Sequence, residues 1–220
     1  MPDALHQSKL RIDWAREKID ELKFFKQRIW QDALENTAQQ GNPNMRDAYF
    51  LFRERLHDEA IRLTSEFVHH ARAALDYVIF TLAWRDTGSE QKGTQFPINS
   101  TPEKFARNRE RFLKHLRQEH ITMVERFQPY CGFHSLLVLN TLSNLDKHRE
   151  FIHINFLGMV SEVIVPLAEA QTQAASHQVK LEKRHTIQVL LDDGTAIEEA
   201  LTDVLSEVGK VIKHFDRVLA

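Results

Sequence analysis

The feature that most limits what this chain can become is a pair of long apolar stripes at helical spacing, separated by one short break. Ile12, Ala15, Ile19, Leu22, Ile29 and Ala33 recur at three- and four-residue steps. Trp14, Phe25, Trp30 and Leu34 widen the stripe, and Lys26 interrupts it. An α-helix turns every 3.6 residues, so such a run gathers on one face. Asp3 can cap this first helix, which is expected to reach about Gln40. Gly41-Asn42-Pro43-Asn44 then reads as a turn. Phe52, Leu56, Leu63, Phe67, Ala71, Ala74, Val78 and Leu82 hold the same period from about Asp47 to Thr87, and Gly88 ends it. Two helices of this length joined by a short loop predict an antiparallel hairpin inside a helical bundle.

The rest of the chain is read around that hairpin. Residues 88–100 form a loop with Phe96-Pro97-Ile98 tucked inward. Thr101 and Pro102 suit the N-cap and first position of a third helix running to about Leu116. A short helix over about Glu119–Phe127 is ended by Pro129. The leucine-rich stretch Leu136–Arg149 is a further helix, apolar enough to be buried. After it the pattern becomes β-branched and partly alternating, at Phe151–Phe156, Val160–Val165 and Val179–Leu191. These predict two to four short antiparallel strands, a β appendage spanning about residues 151–191. Asp193-Gly194 is a turn, and Thr195 with Glu198 fits a capping box for a last helix carrying Ile197, Leu201, Val204, Leu205, Val208, Val211, Ile212, Phe215 and Leu219. The expected fold is mainly α, one helical domain over 1–220.

Composition excludes several classes. The chain has 220 residues, an apolar share of 42 % and only seven glycines, which suits one helical domain with a real core. A formal net charge of −2 argues against a general nucleic-acid coat, though not against a local basic patch. Cys131 is the only cysteine, so neither an intrachain disulfide nor a Cys-rich metal site can form. The longest apolar run, Tyr77–Trp84, is far too short to span a bilayer, which needs about 20 residues. The first residues lack an apolar signal core. The expectation is a soluble cytoplasmic protein, with no membrane partner and no cofactor.

Chemistry-bearing residues concentrate near residue 148. Asn140, Asn144 and His148 recur every four residues, and Asp146, Lys147 and Arg149 lie beside them. One reading makes His148 a general acid or base and uses Arg149 or Lys147 to hold a phosphate. The other is a helix C-terminus, where cations meet the negative end of the dipole and Asp146 pairs with Arg149. Arg72 and Asp76 sit four apart on the second helix. They read either as a plain ion pair or as a lock in which Asp76 reaches Lys147 or Arg149. Lys104, Arg107, Arg111 and Lys114, with Arg109 and Arg117 beside them, could follow a phosphate backbone or form a solvated face diluted by Glu103 and Glu110. Glu-x-x-His pairs occur at Glu54/His57, Glu66/His69, Glu150/His153 and Glu182/His185. Glu66, His69, Glu150 and His153 would be the set for a carboxylate-bridged metal.

The order Ala71-Arg72-Ala73-Ala74-Leu75-Asp76, Phe96-Pro97-Ile98, Gln128-Pro129-Tyr130 and Leu142-Ser143-Asn144-Leu145-Asp146-Lys147-His148-Arg149 resembles a group of small, mostly uncharacterised bacterial proteins over about residues 60–150. That helical core is in turn similar to HEPN domains, bundles often found as bacterial toxins and antiviral ribonucleases. The resemblance implies an interaction module working through protein or RNA contacts, in a defence or toxin setting; the wide apolar seam of two long helices also suggests a homodimer. Its alternative is a metal-independent ribonuclease using His148 and Arg149. The HEPN signature places four to six residues between an Arg and a His. Arg62…His69 and Arg109…His115 satisfy it, but chance alone gives about two or three such pairs in a chain of this composition. Arg149 and His153 are one residue too close. The chain departs from the catalytic pattern where the family would carry it.

Overall fold

In a computed structural model of the chain, the described residues are 5–39, 45–147, 154–166, 179–191 and 193–220, with side chains described for 5–36, 50–146, 154–155, 188–191 and 193–220. The two apolar stripes become α1 (His6–Gln39) and α2 (Met45–Thr87). They run antiparallel: Arg11 meets His70 near one end and the Trp30 ring meets Phe52 near the other. Ala15, Ile19, Leu22, Phe52, Leu56, Leu63, Phe67, Ala71 and Ala74 are buried along this seam, and Val78 and Leu82 are buried further along α2. Each large side chain among them contributes about 1.5–3 kcal/mol on leaving water. Lys26, the interruption in the stripe, forms an ion pair with Glu198 at the start of the last helix.

That last helix, α6 (Ile197–Leu219), buries Ile197, Ala200, Leu201, Val204, Val208, Val211, Ile212 and Phe215 against α1, α2 and the leucine-rich helix. The predicted capping box is not formed. Ala196 is the N-cap and no side chain caps the helix. Thr195 is held in the preceding turn instead. Its N–H donates to Asp193 Oδ1 at 2.9 Å and its carbonyl accepts from Leu191 N–H at 2.9 Å. Glu198 is drawn away to Lys26.

The middle of the chain is a set of short helices laid over the hairpin: α3 (Pro102–Phe112), α4 (Gln118–Glu125), a 3-10 turn (Pro129–Cys131) and α5 (Ser135–Lys147). Thr101 caps α3 as its sequence implies, with its hydroxyl accepting from Lys104 N–H at 3.4 Å. The helix stops at Phe112 rather than about Leu116. Leu113 leaves helical geometry, so that Leu113 and Leu116 both enter the core. Gly132, at φ 103°, closes the 3-10 turn in a left-handed conformation that a residue with a Cβ seldom adopts. The first turn of α5 is met by a carboxylate from α6: Leu136 N–H donates to Glu207 Oε2 at 3.1 Å. Negative charge is favourable at that end of a helix. The β appendage is one antiparallel pair, β1 (Ile154–Pro166) with β2 (Val179–Leu191), paired from Ile154↔Leu191 to Pro166↔Val179. Ile154, Val189 and Leu191 are buried and join its base to the bundle.

Candidate functional site

Residues of three of the four sequence motifs come together around the loop between α2 and α3. Arg72 Nη2 donates to the Phe96 carbonyl at 2.5 Å. Phe96 N–H donates to Asp76 Oδ1 at 2.8 Å. Arg72 and Asp76 themselves are 3.4 Å apart. One turn of helix thus grips both polar groups of a single peptide residue. Arg72 is buried, with Nε and Nη1 lacking hydrogen-bond partners, and burial holds its guanidinium below the usual arginine range while Asp76 opposes that shift. Gln128, fully buried, continues the clamp. Its Oε1 accepts from Asn99 N–H at 2.9 Å, and its Nε2 donates to the carbonyls of Pro97 at 2.8 Å and Val124 at 3.3 Å. Asn108 Nδ2 donates to Asn99 Oδ1 at 2.6 Å. The ordered motifs around Arg72, Phe96 and Gln128 are one hydrogen-bonded unit that straps the loop to the bundle.

A second buried pair joins α2 to α4. His120 Nδ1 lies 2.7 Å from Asp86 Oδ2, and Arg117 N–H donates to the same oxygen at 2.8 Å. Arg117 Nε is 3.3 Å from Oδ1, within ion-pair range although not aligned for a hydrogen bond. Asp86 therefore stands in as the cap that α4 lacks from its own N-cap side chain. Sequence reasoning overlooked Asp86 and His120, which are 34 positions apart. The only local signal was an acidic residue two positions before Gly88, which follows the end of α2.

Of the stripe on α5, Asn140 is half-buried and Asn144 and Asp146 are exposed. Among the described residues, the Asn140 and Asn144 side chains make no hydrogen bond. Lys147 is the last residue of α5. His148, Arg149, Glu150 and His153 lie outside the described residues, as does any contact of Asp76 with Arg149. On α2, Glu66 is occupied by Arg62 at 2.6 Å and Lys18 at 3.4 Å, and His69 is exposed. Among the described residues no three His, Cys, Asp or Glu side chains gather as metal ligands.

The basic stripe is the remaining candidate. On α3 Phe105 is the buried anchor, while Lys104, Arg107 and Arg111 are exposed and Arg109 is half-exposed. Lys114 is exposed just beyond the helix. Some helical cations elsewhere have a carboxylate neighbour, as in Arg16–Asp13, Lys18–Glu21 and Arg62–Glu59. On this face, among the described residues, no carboxylate comes within ion-pair distance of Lys104, Arg107, Arg109, Arg111 or Lys114. Lys104 donates only to Ser100 Oγ, at 3.1 Å, and the Arg111 guanidinium lies over the Phe112 ring at 5.0 Å. Glu103 is turned to the helix start: a hydrogen bond with Thr101 holds its carboxyl below the usual range, and the Arg107 charge adds to that from a distance.

No family model, curated protein or solved structure matches the chain. The architecture is that of a helical bundle bearing a two-stranded appendage, and no described helix is long and apolar enough to cross a membrane.

Proposed function

We propose that this protein is a helical interaction module that holds a nucleic-acid backbone along α3. The observation that carries the reading is the set of exposed cations Lys104, Arg107 and Arg111 on one face of α3, with Lys114 just beyond the helix and half-exposed Arg109 beside it, all without carboxylate partners among the described residues. Leaving like charges together on a short helix is unfavourable unless a counter-charge arrives. Arginine forks match phosphate oxygens, and a helical row of cations follows a polyanion. A lipid surface fits less well, because Phe105 and Leu113, the apolar side of this segment, are already in the core and leave nothing to insert. A folded protein partner would need a central apolar anchor, which a row of lysines and arginines does not offer. The resemblance to HEPN bundles supports the same class.

The test is fluorescence anisotropy with single-stranded RNA, single-stranded DNA and duplex probes across a salt series, in EDTA. Binding should weaken linearly on a log–log salt plot, with a slope of roughly −0.7 for each phosphate contacted on a single strand. The probes should be recovered at full length. An Arg107→Ala/Arg111→Ala/Lys114→Ala variant that binds every probe as the parent does would sink the proposal. Cleavage in EDTA that disappears in His148→Ala would replace it with a ribonuclease.

A further inference from the structure

We propose that Arg11 and His70 form a proton-operated latch between α1 and α2, shut while the imidazole is neutral and released when it is protonated. Arg11 Nη1 lies 3.0 Å from His70 Nδ1. A guanidinium can only donate, so this contact requires Nδ1 to be an acceptor and places the neutral ring's proton on Nε2. Protonation puts a second N–H at Nδ1. Donor then faces donor and cation faces cation, and the contact is lost.

Arg11 is poorly placed to find another partner. Its Nε is buried and without a hydrogen bond. Its guanidinium sits 5.1 Å from the Trp14 ring centroid, and that ring is 5.4 Å from the imidazole of His70. The three side chains form one cluster across the seam, with Trp14 partly exposed at its edge. The charged and titratable groups that face His70 are Arg11 and Lys18 on α1 and Glu66 and His69 on α2. Glu66 is the sole anion among them, and Arg62 and Lys18 already share it. His69 stands with its ring 5.6 Å from that of His70 and works against a charge there. Burial first and the Arg11 charge next keep His70 below its ordinary 6.5. The latch therefore stays shut through neutral pH and opens on the acid side, separating the Arg11 and Trp14 side chains from the imidazole.

Two measurements test it. In 15N-resolved imidazole spectra of the parent protein at neutral pH, His70 should be the Nε2–H tautomer. In a Trp30→Phe/Trp84→Phe background, Trp14 emission should follow a one-proton curve with a midpoint below 6.5. His70→Gln should remove that curve, and Arg11→Met, which keeps an unbranched chain beside Trp14, should move its midpoint upward. A proton on Nδ1 at neutral pH overturns the latch without needing any variant. A midpoint unchanged in Arg11→Met, or a curve that persists in His70→Gln, also overturns it.

Discussion

Arg72 reaches the carbonyl of Phe96, 24 positions along the chain, at 2.5 Å, from a site that is almost closed to water. That contact makes a charged residue part of the architecture. Arg72→Ala removes the donor, leaves the Phe96 carbonyl unmet and takes away the cation beside Asp76. Breaking one side of a buried charge arrangement costs about 3–5 kcal/mol. Urea unfolding of Arg72→Ala should show a lower midpoint with an unchanged denaturant slope.

Gln128 makes three hydrogen bonds from a fully buried amide. Gln128→Ala orphans Asn99 N–H and the Pro97 carbonyl, at about 1–3 kcal/mol for each buried group left unmet. Thermal unfolding should fall clearly. Native-state hydrogen exchange should show the Asn99 amide opening before the α1–α2 seam does.

Asp86→Ala should be as damaging as the loss of a core residue, because it strands His120 and uncaps Arg117 N–H together. A loss of about 1–3 kcal/mol is expected for each buried group left unmet. Asp86→Asn keeps an acceptor for both and should cost less. Chemical denaturation of the two variants side by side measures the difference.

Stability should decline on the acid side of neutrality through His214. Burial first, then the charges of Arg126 and Arg217, hold its imidazole below 6.5. Its Nε2 is buried without a partner, and the Phe127 ring lies 5.0 Å away. A group with a depressed folded value stays neutral while the unfolded chain takes up a proton. The contribution is therefore whole above about pH 6.5 and is lost as pH falls from there toward the folded value. His214→Phe should flatten that part of the stability–pH curve, read from urea midpoints between pH 7 and 5.

On α3, Arg107→Glu/Arg111→Glu should weaken nucleic-acid binding and leave folding intact, since both side chains are exposed and unpaired. Neutralising two phosphate contacts on a single strand should flatten the salt slope by about 1.4. Anisotropy titrations at three salt concentrations measure it, with circular dichroism as the folding control.

Much of the architecture was legible in the sequence because helical burial is periodic. Phe52, Leu56, Leu63 and Phe67 announce a buried stripe by spacing alone, and the stripe on α6 does the same. Thr101 and Pro102 marked the start of α3 through local chemistry that needs no partner. The end of α3 and the start of α6 were misplaced where a distant demand prevailed. The core takes Leu113 and Leu116 in one case, and Lys26 takes Glu198 in the other.

The candidate chemistry divides along the same line. Spacing alone put Lys104, Arg107, Arg111 and Lys114 on one side of α3, since residues three and four apart share a helical face. Only the tertiary structure showed that no acid from another element answers them. It also decided that Arg72, Asp76 and Gln128 hold a loop, that Asp86 and His120 tie α2 to α4, and that Arg11 needs a neutral His70. Those roles depend on hydrogen bonds between residues 20 to 59 positions apart. Periodicity records which face of a helix turns inward; it carries no record of which distant polar atom that face will meet.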